Sequence, residues 1–183
     1  MHIFPQIEPA KMPWLIGANH YDKTVTRATV RAVAENGARG RILFVEGHPG
    51  TLVPDNPNAR PFFAAMEKAR ELGMRIVFLD HPHSDRVDNA KERLLNYVRE
   101  KAWVQRLLKR AGPDDIVLMH QDHLWSIQQV SGLYFVNSPK IRYISEPDKS
   151  LLAGTWDYQK VRGERMLRNQ SRPLNRLKKP RVK

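Results

Sequence analysis

Four short apolar runs recur along the first two thirds of the chain. Trp14-Leu15-Ile16 stops at Gly17, and Arg41–Val45 stops at Glu46-Gly47. Arg75–Leu79 stops at Asp80, and Asp115–Met119 stops at His120. Each run puts β-branched and large apolar residues on consecutive positions, the pattern of strands buried on both faces. Between them lie amphipathic stretches. Thr24–Asn36 carries Val25, Ala28, Ala32 and Val33 on one helical face and stops at Asn36-Gly37. Arg60–Leu72 is closed by Gly73, with Pro61 acceptable in its first turn. Val87–Arg110 is a long helix with an apolar stripe of Leu94, Leu95, Val98, Trp103, Leu107 and Leu108, ended by Gly112-Pro113. A further helix is expected from near Trp125 to Gly132. Leu133–Val136 and Ile141–Ile144 are candidate edge strands, antiparallel by expectation.

Strand–helix–strand repetition implies right-handed crossovers and an α/β fold. The expected sheet is mostly parallel, has four or more strands and is flanked by helices. Beyond Leu151 the sequence turns polar and basic, so residues 1–150 are read as the α/β domain and 151–183 as a C-terminal extension. The net charge sharpens that division. The chain carries +12, yet residues 162–183 hold nine Lys/Arg and one acid and supply +8 of it. Arg172, Arg176, Lys178, Lys179, Arg181 and Lys183 are therefore candidate contacts to a polyanion such as nucleic acid, or else a solubilising terminus. No cysteine is present, which excludes disulfides, zinc ribbons and thiol nucleophiles. No apolar run reaches the roughly 20 residues of a membrane-spanning helix, and no signal peptide is legible, so a cytoplasmic protein without membrane contact is expected.

In an open parallel sheet, ligands bind beyond the carboxyl ends of the strands. The segments there read Gly17-Ala18-Asn19-His20-Tyr21-Asp22, Glu46-Gly47-His48-Pro49-Gly50, Asp80-His81-Pro82-His83 and His120-Gln121-Asp122-His123. Six of the seven histidines fall in these four loops, which sets them apart from a random scatter. Imidazoles and carboxylates brought to one point can hold a divalent metal with an open position for water. Equally, they can do acid–base work without metal, because imidazole titrates near neutrality. Gly47-His48-Pro49-Gly50 lacks the Lys-Ser/Thr of a phosphate-binding loop and is read as a tight turn presenting Glu46. Ser126 and Ser131 have no nucleophile-elbow context.

These residues, in this order, resemble the TraB/PrgY group, whose wider relatives include the Tiki metalloproteases, the erythromycin esterases and the ChaN-like proteins. Leu15-Ile16-Gly17-Ala18-Asn19-His20 looks like the group's first Gly-x-x-His motif, and Phe44-Val45-Glu46-Gly47 like its glutamate motif. The strand ending Asp80-His81-Pro82 is similar to the group's Asp-Arg-Pro, with His81 in place of Arg. Arg99 lies where the group's arginine does, and His123-Leu124-Trp125-Ser126-Ile127 is similar to the stretch after the second Gly-x-x-His. His120 stands in place of that motif's glycine, which adds a ligand or changes the chemistry. The resemblance covers roughly residues 13–130.

The resemblance implies a metal-dependent hydrolase acting on a peptide or small-molecule substrate, with zinc, manganese or cobalt as cofactor. On this reading His20, Glu46, His120 and His123 are the metal-ligating set, and Glu46 and Arg99 are catalytic. Arg99 would bind a substrate anion or stabilise developing negative charge. Asp80, His48 and Asp122 would support and orient the ligands. The alternative is a non-catalytic protein associated with nucleic acid or the ribosome through its basic extension.

Overall fold

The computed structural model describes residues 11–37, 41–47, 49, 59–80, 89–131 and 140–147. His48, His81, His83, the candidate strand 133–136 and the basic residues from Arg172 onward lie outside them. Five strands form the sheet: β1 Trp14–Gly17, β2 Ile42–Val45, β3 Arg75–Phe78, β4 Ile116–Met119 and β5 Ile141–Tyr143. Four helices connect them: α1 Thr26–Gly37, α2 Arg60–Glu71, α3 Asn89–Arg110 and α4 Gln121–Ser131. The sheet order is β3-β2-β4-β1-β5 and every pairing is parallel. The α/β fold expected from the strand–helix alternation is the one observed.

Consecutive apolar residues in each strand serve opposite faces, as the pleat requires. Ile16, Leu43, Val45, Ile116 and Leu118 pack with Ala32 and Val33 of α1 and with Phe62, Ala65, Met66 and Ala69 of α2. Leu15, Phe44, Val117 and Met119 pack with Trp103, Val104 and Leu107 of α3 and with Leu124 and Ile127 of α4. The division of helices follows from handedness. The crossovers after β1 and β2 run toward β3, whereas those after β3 and β4 run back toward β5. Right-handed crossovers in opposite directions must lie on opposite faces. Around β4, adjacent strands therefore send their chains to opposite sides, which opens a crevice at their carboxyl ends.

Three details depart from expectation. β5 is a parallel strand, not an antiparallel one, because α4 carries the chain back across the sheet before β5 begins. α4 starts at Gln121, four residues before Trp125, since the Leu124 amide donates to the His120 carbonyl and winds the helix directly off β4. α1 begins at Thr26 after a 3-10 turn over Lys23–Val25, capped by the Asp22 carboxylate on the Thr24 amide at 2.8 Å. The end of α2 follows the sequence closely. Gly73 has φ of 72°, a conformation that favours glycine, and the Met74 amide reaches back to the Ala69 carbonyl.

Gly17 closes β1 where α4 comes nearest to the sheet. A Cβ there would sit 2.9 Å from Leu124 Cδ2, 3.1 Å from Tyr143 Cδ1 and 3.1 Å from Gln121 Cα. Backbone cannot yield as a side chain can, so the smallest possible residue lets α4 begin at the strand end. Gly17→Ala is expected to cost about 2 kcal/mol by overpacking. A denaturant titration checks it: the midpoint falls while the slope stays constant. An unchanged midpoint would show that α4 is free to shift.

Candidate functional site

The sheet hydrogen bonding continues one residue past β2 and β1, onto β4 between them. The Glu46 amide donates to Leu118 O at 3.0 Å and the Ala18 amide to Met119 O at 3.0 Å. Glu46, His120 and the His20 loop thus begin level with each other, after β2, β4 and β1. His123 follows one turn into α4. The four side chains come together: the His20 and His120 ring centroids are 4.9 Å apart, and those of His120 and His123 are 6.3 Å apart.

Glu46 is their common partner. Its side chain is buried, with one oxygen accepting from the His120 amide at 2.6 Å and the other 3.3 Å from His123 Nε2. Burial alone would push its carboxyl up. The charges of His123, His20 and Arg99, together with the His120 amide, outweigh that and hold it down at about 2. Glu46 is an anion at any physiological pH.

The histidines divide in response. Burial drives His20 down to about 4, against the pull of Glu46 and with the push of His120, His123 and Arg99. Its Nδ1 is buried and has no hydrogen-bond partner among the described residues. The ring is flanked by Tyr21 at 4.0 Å and Phe62 at 5.2 Å, and Tyr21 is itself exposed at the rim. His120 is likewise lowered, chiefly by burial, although Glu46 and Asp122 oppose the shift. Asp122 Oδ2 stands 3.6 Å from His120 Nδ1. His123 moves the other way. Burial would lower it, but Glu46 on one nitrogen and Glu100 on the other raise it.

Glu100 escaped the sequence reading. One of its oxygens is 2.7 Å from His123 Nδ1, and the other accepts from Ser126 Oγ at 2.7 Å. It shares the buried face of α3 with Trp103, Val104 and Leu107. A carboxylate at that helical spacing from an apolar stripe is the signal that could have found it, because buried acids occur almost only when paired.

Arg99 and Asp80 are placed differently from a substrate clamp. Arg99 grips Asp80 through Nε at 3.2 Å and Nη2 at 2.7 Å, and its guanidinium lies 4.9 Å from the Trp103 ring centroid. Asp80 also accepts from Trp103 Nε1 at 2.8 Å and from the Gly47 amide at 3.1 Å. The pair ties α3 to the carboxyl end of β3 and to the turn after Glu46. Arg99 acts on Glu46 as a nearby positive charge. Among the described residues, no three His, Asp or Glu side chains are drawn together as a ready-made metal-holding set. Nor is any described helix long and apolar enough to cross a membrane.

The chain matches no protein-family model, no curated protein and no solved structure in the three comparisons.

The His20 shift has a measurable consequence. The unfolded chain binds a proton on His20 below about 6.5, whereas the folded state binds it only below about 4. Stability must therefore fall as pH drops through that window. His120 and Glu46, also lowered in the folded state, lose stability as pH falls in the same sense, whereas the raised His123 works the other way and favours the folded state at low pH. Comparing wild type with His20→Ala isolates the His20 contribution. Between pH 7 and pH 4 the wild type should lose about 3 kcal/mol relative to the variant, at 1.36 kcal/mol per unit. Urea titrations at several pH values check this, and parallel curves would contradict a suppressed proton on His20.

Proposed function

We propose that the chain is a metal-assisted hydrolase acting on a peptide or related small substrate at the crevice around β4. The observation that carries this reading is the convergence of His20, His120 and His123 on the buried carboxylate of Glu46, at the ends of three neighbouring strands. Donor chemistry supports it further. Metal ligation needs neutral imidazoles and an ionised carboxylate, and His20, His120 and Glu46 are each shifted toward that state. A buried His20 nitrogen without a partner among the described residues is also what a bound cation would satisfy.

A zinc, manganese or cobalt ion held by His20, Glu46 and His123, with His120 as a further donor, would polarise a carbonyl and lower the pKa of a bound water, and His123, raised by its two glutamates, would release its proton as the ion binds. Glu46, held near 2, suits fixing charge better than carrying a proton. Arg99, committed to Asp80, balances that charge and anchors the turn beside Glu46. Asp122 keeps His120 company from the first turn of α4.

A metal-free version of the same chemistry has its own support. His20 is pushed down and His123 up, and groups whose environments drive them apart divide the roles of base and acid. Neutral His20 would accept the proton of an attacking water, and protonated His123 would donate to the leaving group. Nucleic-acid binding through Arg172 to Lys183 rests on the charge pattern alone, since those residues lie outside the described structure.

The test uses protein freed of metal by chelator and then dialysed. Adding manganese, cobalt or zinc should raise the melting temperature, because a ligand that binds only the folded state contributes about 2.7 kcal/mol at a hundredfold excess over Kd. The rise should be much smaller in a His20→Ala, His123→Ala double variant. Peptide and ester mixtures incubated in oxygen-18 water should yield labelled acids, and the yield should fall on chelation. Equal melting shifts in both proteins would place the metal elsewhere. Hydrolysis insensitive to chelator would select the acid–base version, and no labelled product from any mixture would refute the hydrolase.

A further inference from the structure

We infer that Glu100 is the positioning residue of this site: when the His123 imidazolium gives up one proton, Glu100 keeps the other on Nδ1 and Nε2 is the nitrogen laid bare. The inference rests on His123 being a working group of the hydrolase site, whichever version operates. Each His123 nitrogen faces a carboxylate, but at unequal distances: 2.7 Å from Nδ1 to Glu100 and 3.3 Å from Nε2 to Glu46. The first is a full charge-assisted hydrogen bond and the second is beyond the usual range for one. When the ring carries a single proton, that proton belongs on Nδ1. Free histidine in water prefers the opposite arrangement, with Nε2 protonated, so the protein must impose this one.

Glu100 is built to impose it. The carboxylate is buried, its second oxygen is held by the Ser126 hydroxyl at 2.7 Å, and Ser126 is buried too. His123 and Ser126 lie three residues apart on α4 and grasp the two oxygens of one carboxylate from α3. A carboxylate locked on both sides cannot swing away from the imidazole. The Trp103 ring, 5.2 Å from the His123 ring and nearly perpendicular to it, limits how the imidazole can turn. Nε2 is then the nitrogen whose lone pair can be given to a metal ion or take up a proton in transit. Outer carboxylates on histidine play this part at metal centres, and losing one weakens metal binding by about 10–100-fold.

The test reads the tautomer directly and needs neither substrate nor metal. Nitrogen-15 spectra of the full chain with labelled histidine, recorded at alkaline pH where the ring is neutral, distinguish a protonated nitrogen from a bare one. Wild-type His123 is expected to show protonated Nδ1 and bare Nε2. Glu100→Ala is expected to shift it toward protonated Nε2. A wild-type His123 protonated on Nε2, or a tautomer unchanged in Glu100→Ala, overturns the inference. If Glu100→Ala does not fold, the wild-type spectrum decides alone. A cobalt titration followed by visible absorption separates this inference from the function proposed above. Glu100→Ala should bind cobalt about 10–100-fold more weakly than wild type. Wild type that binds no cobalt would refute the metal-assisted reading while the nitrogen spectra still decide the role of Glu100.

Discussion

A single buried negative charge organises this site. An ionised carboxylate loses several kcal/mol of hydration when it leaves water, and only close partners can offset that. Glu46 receives them from four directions: the His120 amide, His123 Nε2, His20 and the more distant Arg99. None of these is close in sequence to Glu46. They meet because β1, β2 and β4 are neighbours in the sheet and end at the same level. The charge depends on the topology, and the histidines take their protonation states from the charge. His123, gripped also by Glu100, is raised; His20 and His120, with weaker compensation for burial, are lowered.

The rest of the structure holds these groups in place. Helices pack on both faces of the sheet, the three central strands β1, β2 and β4 are mostly buried, and the polar residues crowd to the one edge where the chain turns. α3 is pinned to that edge by Arg99 and Trp103 on Asp80, and by Arg106 on the carbonyls of Phe78 and Leu79. That pinning sets the depth at which Glu100 meets His123. α4 is brought close by Gly17, which places His123 above Glu46 instead of one turn away. A displacement of either helix by an ångström would separate a carboxylate from its imidazole.

Much of this was legible in the sequence, for a physical reason. Parallel strands buried on both faces must be almost wholly apolar, so Leu15-Ile16, Leu43-Phe44-Val45 and Val117-Leu118 stand out, and the polar residues just after them are where the site lies. What escaped was long-range pairing. Asp80 and Arg99 are 19 residues apart in sequence, and nothing local tells a bidentate structural pair from a free guanidinium. Glu100 is one acid among many on a charged helix, distinguishable only by its spacing from Trp103 and Leu107. The start of α4 was hidden because Gln121, Asp122 and His123 form a polar first turn, and the buried apolar positions that mark the helix begin only at Leu124. The orientation of β5 depends on α4 crossing the sheet, which no feature of Ile141-Arg142-Tyr143 encodes.

The whole site depends on the charge of Glu46. A protein labelled with carbon-13 at glutamate side chains allows the Glu46 carboxyl carbon, assigned by its loss in Glu46→Gln, to be followed as pH falls. If the imidazoles, the arginine and the His120 amide outweigh burial, the carboxyl stays ionised through the ordinary range and titrates at about 2. Titration at or above 4.5 would mean that burial prevails, that the carboxyl takes its proton as an ordinary or raised acid, and that no buried anion gathers the histidines.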